Sequence, residues 1–149
     1  MSDALSVTVV NQRSEIERLS RFVDAYGEAN NLSPDLTFAM NLALDEVLTN
    51  IILHGYDDQR EHTILVRLDL MDDTLSAEVE DDGRSFNPMN APPVDVDAVI
   101  EDRPIGGLGI HIVRSTMDVL EYRRQDGRNI FIMRKRIGAS RRARGASDE

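Results

Sequence analysis

Asn41-Leu42-Ala43-Leu44-Asp45-Glu46-Val47-Leu48-Thr49-Asn50-Ile51-Ile52-Leu53-His54-Gly55-Tyr56 is patterned to face a core, yet it carries a carboxylate and an amide four residues apart. In a helix that spacing stacks Glu46 and Asn50 on one face. A carboxylate that can take a proton, one turn before an amide oxygen that can ligate a hard cation, supplies two parts of a phosphoryl-transfer site. The same pair also reads as two solvent-facing polar positions on an amphipathic helix.

Upstream of this stretch, Ser33-Pro34 offers an N-cap followed by proline at the first helical position, so a helix opens there and runs to His54-Gly55. Residues 5–10 read as a first strand by their β-branched content. Ser14-Glu15-Ile16-Glu17 has capping-box form, and Ile16, Leu19, Phe22, Val23 and Tyr26 recur at helical spacing until Gly27 and Asn30-Asn31 weaken the pattern. Downstream, residues 63–70 and 74–80 read as an antiparallel hairpin around Met71-Asp72-Asp73. Residues 87–104 hold Pro88, Pro92, Pro93 and Pro104 among scattered acids, which suits a flap. A helical pattern in Ile110, Ile112, Val113 and Met117 follows, then strands near 119–124 and 128–137 around an Asp126-Gly127 turn. The order predicts an α+β two-layer sandwich, with helices on one face of a mixed, mostly antiparallel sheet.

A chain of 149 residues, 41% of them hydrophobic, suits one domain, residues 1–137, ending in a basic tail, residues 138–149, that reads as a solvated, disordered end. Without cysteine it forms no disulfide and no thiolate metal site. No apolar run approaches the roughly 18 residues of a membrane span and the N-terminus has no basic leader, so a cytoplasmic protein without membrane contact is expected. The net charge is −10, and because residues 134–149 hold six Lys or Arg and two acids, the first 133 residues carry about −14. So acidic a body disfavours sequence-independent binding of nucleic acid.

Two further stretches carry chemistry. In Val79-Glu80-Asp81-Asp82-Gly83-Arg84-Ser85-Phe86 an acidic cluster ends a strand. Pointed into a cleft, the Asp81 carboxylate accepts hydrogen bonds without donating, and so can select an exocyclic amino group such as that of adenine; Asp-Gly is also a common turn dipeptide. In Gly106-Gly107-Leu108-Gly109, glycines lead into a helix whose free N–H groups and dipole can bind phosphate, although glycine clusters also simply turn a chain. It is neither a Walker A motif nor the dinucleotide fingerprint.

Taken together, Glu46-x-x-x-Asn50, Asp81-x-Gly83 and Gly107-x-Gly109 resemble the N box and the two glycine boxes of the Bergerat, or histidine-kinase-like, ATPase fold shared by gyrase, histidine kinases and MutL. Within that superfamily the chain looks most like the anti-sigma factor serine/threonine kinases of bacterial partner switching. Glu46 to Tyr56 is similar to their Glu-x-x-Thr-Asn-x-x-x-His-Gly-Tyr run, and residues 81–88 and 106–110 match their later boxes. The resemblance covers roughly residues 5–136.

It implies a Mg-ATP-dependent protein kinase. Asn50 would ligate Mg²⁺ on the ATP phosphates, Asp81 would read the adenine amino group, and Gly83, Gly107, Leu108 and Gly109 would line the nucleotide. Glu46 would be the base toward a serine or threonine of a small anti-anti-sigma antagonist of the STAS type. His54 would contact phosphate or cap the helix carbonyls, the latter suiting a histidine in a last turn. The resemblance also implies a homodimer and a sequestered partner of the sigma-factor kind; on that view Arg13, Arg18 and Arg21 are candidate contacts, though exposed arginines on a helix are usually just solvated. The alternative is an ATP-binding interaction module that holds a partner without phosphate transfer. Ser85 stands where the family often has a second glycine, Asn129 where a threonine commonly follows the hairpin glycine, and Arg103 is the cation nearest the glycines.

Overall fold

The computed structural model describes residues 3–90 and 109–137. The expected flap beyond Asn90, the segment Gly106-Gly107-Leu108 and the tail 138–149 lie outside those residues.

The second helix, α2 (Pro34–His54), forms where the sequence predicts it. Ser33 is extended, its hydroxyl accepts the Leu36 amide at 3.1 Å, and Pro34 takes the first helical position. At the other end the Gly55 amide bonds the Ile51 carbonyl at 2.7 Å. Met40, Ala43, Leu44, Val47, Leu48 and Ile51 are buried. With an 18-residue window of mean hydropathy 1.4, α2 is long and apolar enough to cross a membrane by length and composition. The acids Asp45 and Glu46 interrupt the run, which is why none was expected; its apolarity is that of a core helix, packed on both neighbouring helices. Ser33→Ala should cost about 1 kcal/mol by leaving the Leu36 amide uncapped. Thermal unfolding checks this as a midpoint lower by roughly 2–4 °C.

The first helix, α1 (Ser14–Ala29), departs from expectation at its start and closes at Asn30, where the Asn30-Asn31 pair weakens the pattern. No capping box forms, because Arg13 occupies the cap position in helical conformation and Ser14 is already inside. Glu15 instead accepts the Val10 amide at 3.0 Å and pairs with Arg18 at 2.9 Å, tying the helix to the preceding strand. Gly27 does not end the helix. A Cβ there would press into the Thr37 side chain, so the glycine marks the closest approach of α1 and α2.

Five strands, β1 (Asp3–Val10), β2 (Thr63–Met71), β3 (Thr74–Asp81), β4 (Val119–Gln125) and β5 (Arg128–Arg136), form one sheet in the order β1-β2-β3-β5-β4. The α+β two-layer class stands. All four pairings are antiparallel, so the mixed character expected of the sheet has no counterpart among the described residues. The reason is topological: α1 and α2 carry the chain away from the end of β1 and back, and Thr63 pairs with Val10 at the end the chain had left.

One face of the sheet is apolar. Val7, Val66, Val79 and Phe131 are register partners, all buried against the helices. The other face carries the ion pairs Arg67–Glu78 at 2.7 Å and Arg134–Glu121 at 2.6 Å, each worth little in water. The β4–β5 turn is Asp126-Gly127 as expected, both residues at positive φ (54° and 78°). The third helix, α3 (Gly109–Thr116), packs on α2, and a short 3-10 turn at Pro88–Asn90 touches α2 as well. What matters for the site is one row on the helix-facing side. Val9, Ile64, Asp81, Asn129 and Arg124 are successive cross-strand neighbours at the end of the sheet where α2 also ends.

Candidate active site

Glu46 and Asn50 lie together on the buried side of α2 rather than facing solvent; they are 7% and 2% exposed. The Asn50 amide nitrogen donates to Glu46 Oε2 at 3.3 Å and to the Pro88 carbonyl at 3.0 Å. With both its hydrogens used, the nitrogen is fixed and Oδ1 is turned the other way, available to a ligand. Burial pushes the Glu46 carboxyl up to about 6; the Asn50 hydrogen bond opposes that and the neighbouring charge of Asp45 adds to it. A carboxylate with that value is ionised at neutral pH yet basic enough to receive a proton, which is the balance a general base needs.

Asp81 closes β3 and is 2% exposed. Its Oδ1 accepts the Gly83 amide at 2.8 Å and the Asn129 side-chain amide at 3.0 Å. Those two bonds leave Oδ2 as the oxygen able to read a ligand. Burial raises its carboxyl above the usual range, against the lowering effect of the same two hydrogen bonds.

Gly83 is required by close approach. A Cβ there would collide with the Gly55 carbonyl oxygen and lie 3.0 Å from Asp81 Oδ1 and 3.1 Å from the Tyr56 ring. The Arg84 amide donates to that same Gly55 carbonyl at 2.9 Å, and the Arg84 guanidinium donates to the His54 carbonyl at 2.8 Å. The end of α2 is therefore fastened to the loop after β3, which joins the Glu46–Asn50 face to Asp81 in one construction.

His54 is half-buried beside that fastening, its ring centroid 6.0 Å from that of Phe86. No hydrogen bond of its ring to a helix carbonyl occurs among the described residues. Gly109 is the first residue of α3 and Val113 of that helix is buried in the common core. Gly107 and Leu108 lie outside the described residues. Arg18 and Arg21 are engaged with Glu15 and Glu17.

Several participants escaped the sequence reading. Tyr122 and Arg124 on β4 donate to the Asn129 side-chain oxygen, the arginine at 3.1 Å. Arg124 also holds the Gly83 carbonyl at 2.8 Å, and Arg114 on α3 bonds the Met89 carbonyl at 3.2 Å. Tyr56 stacks on His62 with centroids 4.3 Å apart, and its buried hydroxyl has no hydrogen-bond partner. Burial, with Asp81 and Asp82 nearby, raises that phenol far above its ordinary range. Register could have placed Tyr122 and Arg124, since they and Asn129 stand on one face of the β4–β5 hairpin.

A cavity of about 1130 Å³ lies elsewhere, between α1 and α2. Glu17, Asp24, Glu28 and Asp45 line it, which repels a polyphosphate. The chemistry is gathered at the end of the sheet instead.

Residues 9–135 match the histidine kinase-like ATPase domain. The chain belongs to that family. Among curated proteins, this ATPase-family chain is 32% identical over 98 residues to the serine-protein kinase RsbW of Bacillus mycoides, covering 62% of the chain and 60% of that relative. It is 30% identical over 97 residues to the serine/threonine-protein kinase BtrW of Bordetella bronchiseptica, covering 65% of the chain and 68% of that protein. The RsbW of Bacillus cereus gives 32% over 98 residues, with 62% and 60% covered. The chain thus spans about 60% of the length of the RsbW proteins it matches.

The residues present fit a magnesium ion. Among the described residues no cluster of three or more His, Asp or Glu side chains could cage a metal. Mg²⁺ is instead commonly held by one or two protein oxygens together with substrate phosphates and water, and Asn50 Oδ1 is such an oxygen.

Proposed function

We propose that this chain is a Mg-ATP-dependent serine/threonine protein kinase whose substrate is a small antagonist protein of the anti-anti-sigma, STAS type. The observation that carries this reading is Glu46, a buried carboxylate near 6 hydrogen-bonded to Asn50 on the same helix face. A module that only held nucleotide would have no use for a buried base. Likeness to the serine-protein kinase RsbW and the serine/threonine-protein kinase BtrW supports the same reading.

In the reaction, the substrate hydroxyl oxygen bonds to the γ-phosphorus of ATP while the bond to the β–γ bridging oxygen breaks. ADP leaves, and the hydroxyl proton passes to the Glu46 carboxylate. Asp81 Oδ2 accepts the adenine amino group and so sets the position of the base. Gly83 gives the nucleotide close passage along the loop, and by resemblance Gly107, Leu108 and Gly109 would take the phosphate side. Asn50 Oδ1 would hold Mg²⁺, whose contribution when bound is to neutralise charge on the phosphates. The same proposal extends to partner exchange, in which a homodimer sequesters a second protein, a sigma factor by resemblance, and releases it for the unphosphorylated antagonist.

Incubation with the antagonist and ATP labelled at the γ-phosphate tests the activity: label should appear on a serine or threonine of the antagonist. Absence of label under conditions where ATP binds would leave an interaction module. Asn50→Ala should remove most of the magnesium-dependent part of ATP affinity, about tenfold, in calorimetric titrations with and without Mg²⁺. Unchanged magnesium dependence would take Asn50 out of the metal site.

A further inference from the structure

We propose that Asn129 is a positioning residue that sets the base selectivity of the site by holding Asp81 in its reading orientation, through a brace at the end of the β3-β5-β4 row. The inference rests on the reading of Asp81 as the acceptor for a base amino group.

Both polar ends of the Asn129 side chain are fully used. Its nitrogen donates to Asp81 Oδ1 at 3.0 Å and to the Arg84 carbonyl at 2.7 Å. Its oxygen accepts from the Tyr122 hydroxyl, from Arg124 at 3.1 Å and from the Phe86 amide at 3.3 Å. The amide cannot be turned over. Rotation would set its NH₂ against two obligate donors, the Arg124 guanidinium and the Phe86 N–H, and its oxygen against a carboxylate and a carbonyl. Asn129 itself is 2% exposed.

Two consequences follow. First, Asp81 Oδ1 is committed to Asn129 and Gly83, so the plane of the carboxylate is set by β5 and the loop together, with Oδ2 left toward the site. Second, Asn129 has no donor or acceptor to offer a ligand. Base recognition in this row therefore falls on Asp81 alone, and loosening Asn129 blurs it. The brace also reaches Gly83 a second way, since Arg124 holds that carbonyl. Charged and titratable groups around the pair are Arg124 and Tyr122 from β4, Asp82 beside Asp81, and Tyr56 just after α2.

The test compares ATP with purine riboside triphosphate, which lacks the 6-amino group but has the same triphosphate, by calorimetry on the full chain. Wild type should prefer ATP by roughly 10- to 100-fold, the range for a hydrogen bond to a charged group. Asn129→Ala should cut that preference to within about threefold while binding of the analogue changes little, which also shows that the variant is folded.

Asn129→Asp gives a second readout. Below the upper apparent pKa of the coupled carboxylates, one shared proton lets Asp at 129 donate to Asp81 as the amide did. Above it both are ionised and repel. The ATP-to-analogue preference should thus fall at least tenfold from the acid to the alkaline end of the profile in this variant, and by less in wild type. Taking the ratio at each pH cancels titration of the triphosphate. If both buried substitutions prevent folding, Tyr122→Phe, which removes one donor to the Asn129 oxygen from a partly exposed site, should lower the preference two- to fivefold.

Wild type without preference for ATP would sink the amino-group reading of Asp81 and this inference with it. Full wild-type preference retained in the folded variants would overturn the role of Asn129 and leave the Asp81 reading standing.

Discussion

Glu46→Gln is expected to lower phosphate transfer by about 10²–10⁴-fold while ATP affinity stays within a few-fold. Glutamine keeps the shape and can still accept the Asn50 hydrogen bond, but it cannot take a proton from a substrate hydroxyl. General bases act on the transition state, so the loss falls on turnover and not on nucleotide binding. The pH profile of the wild type provides an independent check. The Glu46 carboxyl sits at about 6, so the basic form dominates above that pH and disappears below it. Transfer should rise through pH 6 to a plateau, and the step should be missing from whatever residual rate the variant shows. The same substitution should raise stability at neutral pH. A carboxyl whose folded value exceeds its unfolded one is destabilising wherever it is ionised, by up to about 2 kcal/mol here, and glutamine removes that cost. A variant that transfers phosphate at the normal rate would remove Glu46 from the chemistry.

Gly83→Ala should weaken ATP binding by at least tenfold and destabilise the fold by about 1–3 kcal/mol, the range for overpacking a tight contact. The added methyl meets backbone, the Gly55 carbonyl, which cannot rotate aside as a side chain would. Relief requires the loop to lift from the end of α2. That breaks the Arg84-to-Gly55 bond and withdraws the Gly83 amide from Asp81, so the proposed acceptor for the base loses one of its two anchors. Denaturant unfolding and ATP titration measure the two effects separately. Retained binding with only a stability loss would mean that the Asp81 orientation does not depend on the loop.

Much of this was legible in the sequence because its signals are local. Ser33-Pro34, the helical period through α2 and the Asp126-Gly127 turn each act within a few residues, and each lies where the pattern placed it. The same locality misled at α1. Ser14 to Glu17 has the form of a capping box, but Glu15 found the Val10 amide on the preceding strand, a tertiary competitor that the motif does not contain. Gly27 resembled a helix end because its reason, contact with Thr37, lies ten residues ahead on another helix. In the proposed site, Glu46, Asn50, Asp81 and Gly83 drew attention by residue type and spacing, and only their joint occurrence set them apart from an amphipathic helix and a turn. Asn129 drew notice only as a departure from a family pattern. Its five hydrogen bonds come from residues 81, 84, 86, 122 and 124, a set that only strand register brings together.

Glu46 and Asn50 ride on one continuous helix, wedged from both sides by buried apolar residues. Four residues of helix advance about 6 Å and the side chains then lean together into a 3.3 Å hydrogen bond, so under the proposed function the group that takes the proton and the group that steadies the phosphates are held at one spacing. Inhibition cannot work by stretching that spacing without melting the core. Control over turnover must then act on admission: which hydroxyl is presented to the helix, and for how long.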